Sequence, residues 1–234
     1  MLFSVVAPAQ DPEKKITLSN LAPAVVVGYM MAAPEASRGS GYHLIKKVKL
    51  GGPGGWDYLT VDQATHRVFI SRGTHVMVVD PEQGKVIGDV PDTQGIHGIA
   101  LAAEFNKGFT SNGRTATSTI FDMATLKKVG EAKTDKDPDA IIYDPNSKRV
   151  FTFNGDSNSA TAIDAETGKV AGTIGLGGGP EFAAADGKGH VFVNLEDKSQ
   201  LVKFDSKTLK VENTWRWLRA NRRPGSRLTR SMKS

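Results

Sequence analysis

The stretch from Pro138 to Pro180 reads PDAIIYDPNSKRVFTFNGDSNSATAIDAETGKVAGTIGLGGGP. It contains four short apolar runs, AIIYD, RVFTF, SATAID and KVAGTI, separated by segments rich in Asp, Asn, Ser and Gly. Short runs of β-branched and aromatic residues bounded by such turn residues are typical of strands joined by hairpins. The stretch therefore predicts one four-stranded antiparallel meander.

The same meander recurs along the chain. The third run of each copy ends in an aspartate, at spacings of 42, 42 and 41 residues: Asp80, Asp122, Asp164 and Asp205. The second run of each copy holds a phenylalanine, at spacings of 40, 42 and 41 residues: Phe69, Phe109, Phe151 and Phe192. A period of this length with four strands per copy indicates the blades of a β-propeller. Helical repeats of similar length need apolar residues at i, i+3, i+4 and i+7, and the runs here are too short for that pattern.

We therefore predict an all-β protein, a β-propeller with four recognisable four-stranded blades at residues 42–91, 92–134, 135–176 and 177–215. The first strand of each copy is rich in small residues, which fits the crowded axis where blades converge. Propellers of this kind usually close with more blades, so we expect an incomplete ring. Its open blade edges favour self-association.

The two ends of the chain lack the repeat. Residues 1–41 are interpreted as a leader: Met1–Ala9 ends in a possible cleavage site, and Lys14 and Lys15 precede an apolar run at Leu21–Ala33. Residues 216–234 form a basic segment without strand alternation, which we hypothesise to result from a frameshift that ended a longer propeller. No stretch is long and apolar enough to predict a transmembrane helix.

The net charge of +5 invites a nucleic-acid interpretation, but the positive charge is concentrated in the tail. Seven basic residues and no acidic residue follow Trp215: Arg216, Arg219, Arg222, Arg223, Arg227, Arg230 and Lys233. The rest of the chain has 23 basic and 25 acidic residues. The repeats themselves are therefore nearly neutral. The chain has no cysteine, which excludes disulfides and thiolate metal sites.

The third copy, RVFTFNGDSNSATAIDAETGKVAGTI, resembles the YVTN-type β-propeller repeat family of bacterial extracytoplasmic proteins. The aromatic-Val-x-Asn motif of that family is matched best at Phe192–Asn194, loosely at Phe109–Asn112 and Phe151–Asn154, and is lost at Phe69–Arg72. The resemblance covers residues 42–215 and implies a propeller fold and a periplasmic or extracellular location. It implies function only loosely, since similar propellers serve as binding modules, haem or quinone enzymes, and lactonases.

In a radial four-stranded meander, the linkers between blades and the loops between strands two and three lie on the same face. These loops vary from blade to blade, and function usually resides on such loops over a rigid scaffold. We therefore predict a ligand-binding face that carries the following candidates: Trp56, Asp57, His75, His97, Asn112, Arg114, Asp139, Asn154, Glu181, Asn194 and Glu196.

Several of these residues also have simple structural interpretations. His97 could face the central channel as a base or axial ligand, although a structural histidine is the simpler interpretation. Trp56 is interpreted as packing between blades, and the aspartates after the third strands as turn caps. The segment Asp135–Asp139 resembles the start of a calcium loop but lacks its glycine and its final glutamate, so no metal or other cofactor is predicted.

The sequence thus predicts an extracytoplasmic binding or scaffold propeller, without catalysis, for a protein, glycan or small ligand. One alternative is a propeller enzyme with haem, quinone or lactone chemistry in its channel. Another is single-stranded DNA binding, for which Trp56 beside Arg72 and Arg114 would supply stacking and charge.

Overall fold

The structure is a computed structural model that describes residues 44–217. Within this range the chain forms sixteen β-strands and one 3-10 turn, Ala103–Phe105. Blade one consists of β1 (Leu59–Val61), β2 (Val68–Ser71), β3 (Val76–Asp80) and β4 (Lys85–Val90). Blade two consists of β5 (Ile96–Ala102), β6 (Lys107–Asn112), β7 (Thr117–Asp122) and β8 (Lys128–Lys133). Blade three consists of β9 (Pro138–Asp144), β10 (Arg149–Asn154), β11 (Ser159–Asp164) and β12 (Val170–Gly175). Blade four consists of β13 (Pro180–Ala185), β14 (His190–Leu195), β15 (Gln200–Asp205) and β16 (Val211–Arg216).

Each blade is a separate sheet in which the four strands pair antiparallel in chain order. In blade three, for example, Phe151 lies opposite Ala162 on one side and Ile142 on the other. The predicted all-β propeller architecture is therefore confirmed. None of the four sheets closes on itself, and each contains only strands from its own copy of the repeat.

The predicted turn caps are also confirmed. Each third strand ends at the expected aspartate, whose Oδ1 accepts a hydrogen bond from the backbone N–H three residues further along: Asp80 from Gln83 (2.9 Å), Asp122 from Thr125 (2.7 Å), Asp164 from Thr167 (2.7 Å) and Asp205 from Thr208 (2.6 Å). These backbone bonds favour the ionised carboxylate and hold the pKa of each of the four groups below its usual value.

The hydrophobic core lies between the blades. Blades one and two share a cluster that includes Phe69 and Phe121, whose ring centroids are 5.9 Å apart. Blades two and three share one that contains Phe109 and Ile163. Blades three and four share the largest cluster, in which the rings of Phe151 and Phe204 pack edge to face. Each blade is thus stabilised chiefly by its neighbours.

The two outer faces of this stack differ. On blade one, Leu50 of the preceding irregular segment packs against a small cluster of Ile70, Met77 and Val79. On blade four, every residue of β16 is exposed. The first strands occupy the inner positions predicted for them, because β1 contacts β5, β5 contacts β9 and β9 contacts β13.

The predicted leader, residues 1–41, lies outside the described residues, as does the tail beyond residue 217. The last strand extends one residue past the predicted end of the blades at 215. Over residues 44–217 the chain forms no helix of the length and apolarity that a membrane span requires.

Candidate functional site

The linkers between blades and the loops between second and third strands lie on one face, as predicted. Backbone hydrogen bonds join the two kinds of segment: Gly113 N–H donates to the Gly95 carbonyl, Gly155 to Asp137, and Glu196 to Gly179, at 2.8–3.0 Å. We call this surface the loop face. Because each loop is tied to the linker beside it, the side chains that start the inner strands are held against this face.

One titratable residue lies near the start of the inner strand in every blade: Asp57 is two residues before β1, and His97, Asp139 and Glu181 are each the second residue of their strand. We call these four residues the entrance ring. In three blades the residue that follows donates its N–H to a side chain of the second strand: Tyr58 to Ser71 (2.9 Å), Gly98 to Ser111 (2.8 Å) and Phe182 to Asn194 (2.9 Å). These equivalent bonds fix the start of each inner strand, so the ring residues come from equivalent backbone positions.

Three members of the ring converge on one point. Nδ1 of His97 lies 2.8 Å from Oδ2 of Asp57 and 3.6 Å from Oδ1 of Asp139. The three side chains are 34%, 45% and 29% exposed, respectively, so the cluster is reachable from solvent. One imidazole between two carboxylates can hold a proton, pair with a charge, or bind a metal ion.

The ring carries a surplus of negative charge. The hydrogen bond from His97 to Asp57 raises the pKa of the imidazole, assisted by the charges of Asp139, Asp57 and Asp137 and opposed by partial burial. Burial raises the pKa of the Asp139 carboxyl, and neighbouring acids add to this effect while His97 opposes it. The pKa of Glu181 is raised in the same way: burial is the largest cause, and the charges of Asp139, Glu196 and Asp57 add to it. Carboxylates that repel one another in this way favour the approach of a cation.

A glycine allows the loop of blade two to approach the ring. A Cβ at Gly113 would lie 2.8 Å from Oδ1 of Asp137 and 2.9 Å from Nε2 of His97, both closer than real side chains allow. Gly113 therefore lies beside the Nε2 side of the imidazole, close to the Asp137 carboxylate. The Nδ1 side is left to face the two carboxylates.

Asn112 and Asn154 do not contribute to the loop face, contrary to the sequence prediction. Their side chains are 1% and 0% exposed. Each amide is bonded inside its own blade: Asn154 Nδ2 donates to the Ser159 and Thr161 hydroxyls, and its Oδ1 accepts from Thr152. These asparagines satisfy polar side chains inside the sheet and are not available to a ligand.

Asn194 occupies a different position from those two asparagines. It aligns with Ser71 and Ser111, one residue earlier in the strand, and its Oδ1 accepts the N–H of Phe182. The asparagines that looked like copies of one motif in the sequence therefore do two different jobs.

Trp56 was expected to pack between blades, but it lies on the irregular segment before β1 and is 56% exposed. Arg114 and Glu196 are exposed on their loops, as predicted. His75 lies apart from the converging cluster: its Nε2 is 3.6 Å from Oδ1 of Asp89, and both line a shallow, open depression of the surface with Pro53.

Arg72 was the basic partner of Trp56 in the nucleic-acid interpretation. It is only 6% exposed, and its Nη2 donates to the carbonyl oxygens of Gly52, Pro53 and Gly54 at 2.9–3.1 Å. The guanidinium therefore holds the glycine-rich segment before β1 in place and does not face a ligand.

All four ring residues were among the sequence candidates, but nothing distinguished them from the other seven. One signal could have done so: they recur at spacings of 40, 42 and 42 residues, the period of the repeat itself. A search for titratable residues at the repeat period, in addition to apolar ones, would have found the ring.

No protein-family model and no curated protein matches the chain. Among solved structures the chain is similar to hydrazine synthase of Kuenenia stuttgartiensis, with a TM-score of 0.63 and 18% sequence identity. The match covers 74% of this chain and 52% of that chain, so this chain spans about half the length of the protein it matches. At this identity the similarity supports the propeller fold alone.

Proposed function

We propose that this protein is a binding propeller whose entrance ring takes up a positively charged ligand, either a cation or a cationic group of a small molecule or protein. The observation that carries the proposal is the recurrence of Asp57, His97, Asp139 and Glu181 near the start of the inner strand in four successive blades. Since these inner strands start on the loop face, the ring presents three carboxyl groups to one ligand.

The electrostatics of the ring favour a cation over an anion. Burial raises the pKa of the Asp139 and Glu181 carboxyls, nearby acids raise it further, and His97 opposes the effect. A bound cation would relieve this repulsion, whereas a phosphate backbone would increase it. This argues against single-stranded DNA as the ligand, and the burial of Arg72 removes the arginine that supported it.

The proposal can be tested by titrating the full chain with spermidine, a polyamine probe, in a calorimeter at low ionic strength. We expect saturable binding that weakens at least tenfold in the double variant Asp139→Asn, Glu181→Gln. The variant Glu166→Gln is a matched control, since it removes one carboxylate from the opposite face and should change the affinity less than twofold. Equal binding by the wild type and the double variant would contradict the role of the ring.

We also propose that the protein functions in the periplasm or outside the cell, as the resemblance of its repeats to extracytoplasmic propellers suggests. Fractionation of cells that express the full chain, with mass determination of the recovered protein, tests this location. Recovery of the uncleaved chain from the cytoplasm alone would refute it.

A further inference from the structure

We propose that Asp57, His97 and Asp139 form a binding site for a divalent transition-metal ion such as Zn2+. This inference rests on the proposed function, because it identifies the cation that the entrance ring takes up. One ligand atom from each residue lies within 4.8 Å of the other two. The three residues come from three different blades, and the fold alone brings them together.

Two of the three distances between ligand atoms are close to those of a metal site, and the third, between the two carboxylates, is at most 4.8 Å. Zinc binds imidazole nitrogen and carboxylate oxygen at about 2.0–2.2 Å, so neighbouring ligand atoms in a tetrahedral site lie about 3.3–3.6 Å apart. Here Nδ1 of His97 is 2.8 Å from Asp57 and 3.6 Å from Asp139. The first pair needs to separate by about half an ångström, and the second already has the required spacing.

The orientation of the imidazole also fits. Gly113 approaches the Nε2 side of the ring so closely that a Cβ there would be 2.9 Å from that nitrogen. Nδ1 is therefore the atom presented to both carboxylates. A single N–H can be shared well with only one of them, and it points to Asp57. Among the described residues, no side chain or backbone group donates a hydrogen bond to the carboxylate of Asp139, so this ligand is free to bind an ion.

The donor set selects the class of metal. An imidazole with two carboxylates suits zinc and other first-row transition ions, whereas calcium and magnesium prefer oxygen ligands alone. Three protein ligands leave a fourth position open, as in zinc sites that hold water or a further ligand. Glu181, in the equivalent position of blade four, lies close enough to interact electrostatically with the cluster.

A second histidine that contacts two carboxylates, His190, differs from the cluster in its geometry. His190 contacts Asp186 through Nδ1 (2.8 Å) and Glu212 through Nε2 (3.8 Å). Because its two carboxylates lie at opposite nitrogens, one ion cannot bind all three groups. His190 therefore provides an internal control with the same functional groups, one imidazole and two carboxylates, in a geometry that does not chelate.

The test is calorimetric titration of the metal-free full chain with ZnCl2. We expect one zinc per chain, a loss of affinity of at least tenfold in Asp139→Asn and His97→Gln, and a change below twofold in His190→Gln. Because a variant could fail to fold, the wild type is also followed by 15N-imidazole NMR. Addition of zinc should shift Nδ1 of His97 and leave both nitrogens of His190 unchanged.

The spermidine and zinc titrations together separate the two proposals. Saturable spermidine binding at the ring without zinc binding would overturn the metal site and leave the cation-binding function intact. Absence of both would overturn both. Zinc binding that survives His97→Gln, or that disappears in His190→Gln, would also refute the assignment of the ligands.

Discussion

Replacing Asn154 with alanine tests whether this residue is structural, as its burial indicates, or a ligand contact, as the sequence suggested. The amide is 0% exposed and takes part in three hydrogen bonds, with Thr152 (3.1 Å), Ser159 (3.0 Å) and Thr161 (3.0 Å). Alanine leaves all three hydroxyls without this partner in a site that water does not reach.

The expected cost follows from the number of bonds. A buried hydrogen bond contributes about 0.5–1.5 kcal/mol net, so Asn154→Ala should lower the free energy of unfolding by about 3 kcal/mol. For a protein of this size, each kcal/mol corresponds to about 2–4 °C, which gives a fall in Tm of about 6–12 °C. Asn112 has the same environment in blade two, so Asn112→Ala should behave alike.

Thermal unfolding followed by circular dichroism, with a denaturant titration for the free energy, measures this effect. Asn213→Ala is the control, because this asparagine is exposed on β16 and should cost less than about 0.5 kcal/mol. A loss below about 1 kcal/mol at Asn154 would refute the reasoning. Weaker binding of spermidine in a variant of unchanged stability would restore the residue to the ligand site.

Three further predictions concern the ring, the core and the blade edges. Asp57→Asn should lower the pKa of His97, measured by NMR, because it removes the carboxylate that accepts the Nδ1–H of the imidazole. The stabilisation of the fold by protonated His97 is complete below pH 6.5 and is lost as the pH rises through the higher pKa of the folded state. A wild-type pKa at or below 6.5 would be inconsistent with the geometry. Gly108→Ala should lower the free energy of unfolding, measured with denaturant, by about 1–3 kcal/mol or more, because its Cβ would lie 2.0 Å from the buried ring of Phe121. Gly130→Ala is the control, since its Cβ would be 3.5 Å from its nearest neighbour. Equal losses in the two variants would rule out the clash. Light scattering should show concentration-dependent association of the chain, because β16 is an exposed edge strand, and a monomer at all concentrations would contradict this.

The architecture could be predicted from the sequence because its strands and turns depend on short local patterns, and these patterns repeat four times. A strand is recognisable from a few alternating residues and a turn from an aspartate followed by Gly or Thr, and four copies at one period leave little choice of fold. The ends of the third strands, Asp80 to Asp205, were predicted to the residue for this reason.

The site was harder to predict from the sequence because residues of different blades form it. Nothing near Asp57 in the sequence says that its carboxylate meets an imidazole 40 residues later. The asparagines misled for the opposite reason: Asn154 and Asn194 look alike in the sequence, yet a difference of one position in a strand moves a side chain to the other face of the sheet. Trp56 lies on an irregular segment, where burial follows no period.

The placement of the core between blades, described above, makes the molecule a linear series of units coupled only to their neighbours. The energetics of such a series resemble those of a one-dimensional chain of coupled sites, in which each unit is stabilised by the one or two interfaces it shares. Opening blade one or blade four breaks one interface, whereas opening blade two or blade three breaks two. Local unfolding should therefore begin at an end blade and spread inward. His97 and Asp139 belong to the two central blades, so their ligand atoms would stay together when either end blade opens, whereas opening blade one would remove Asp57.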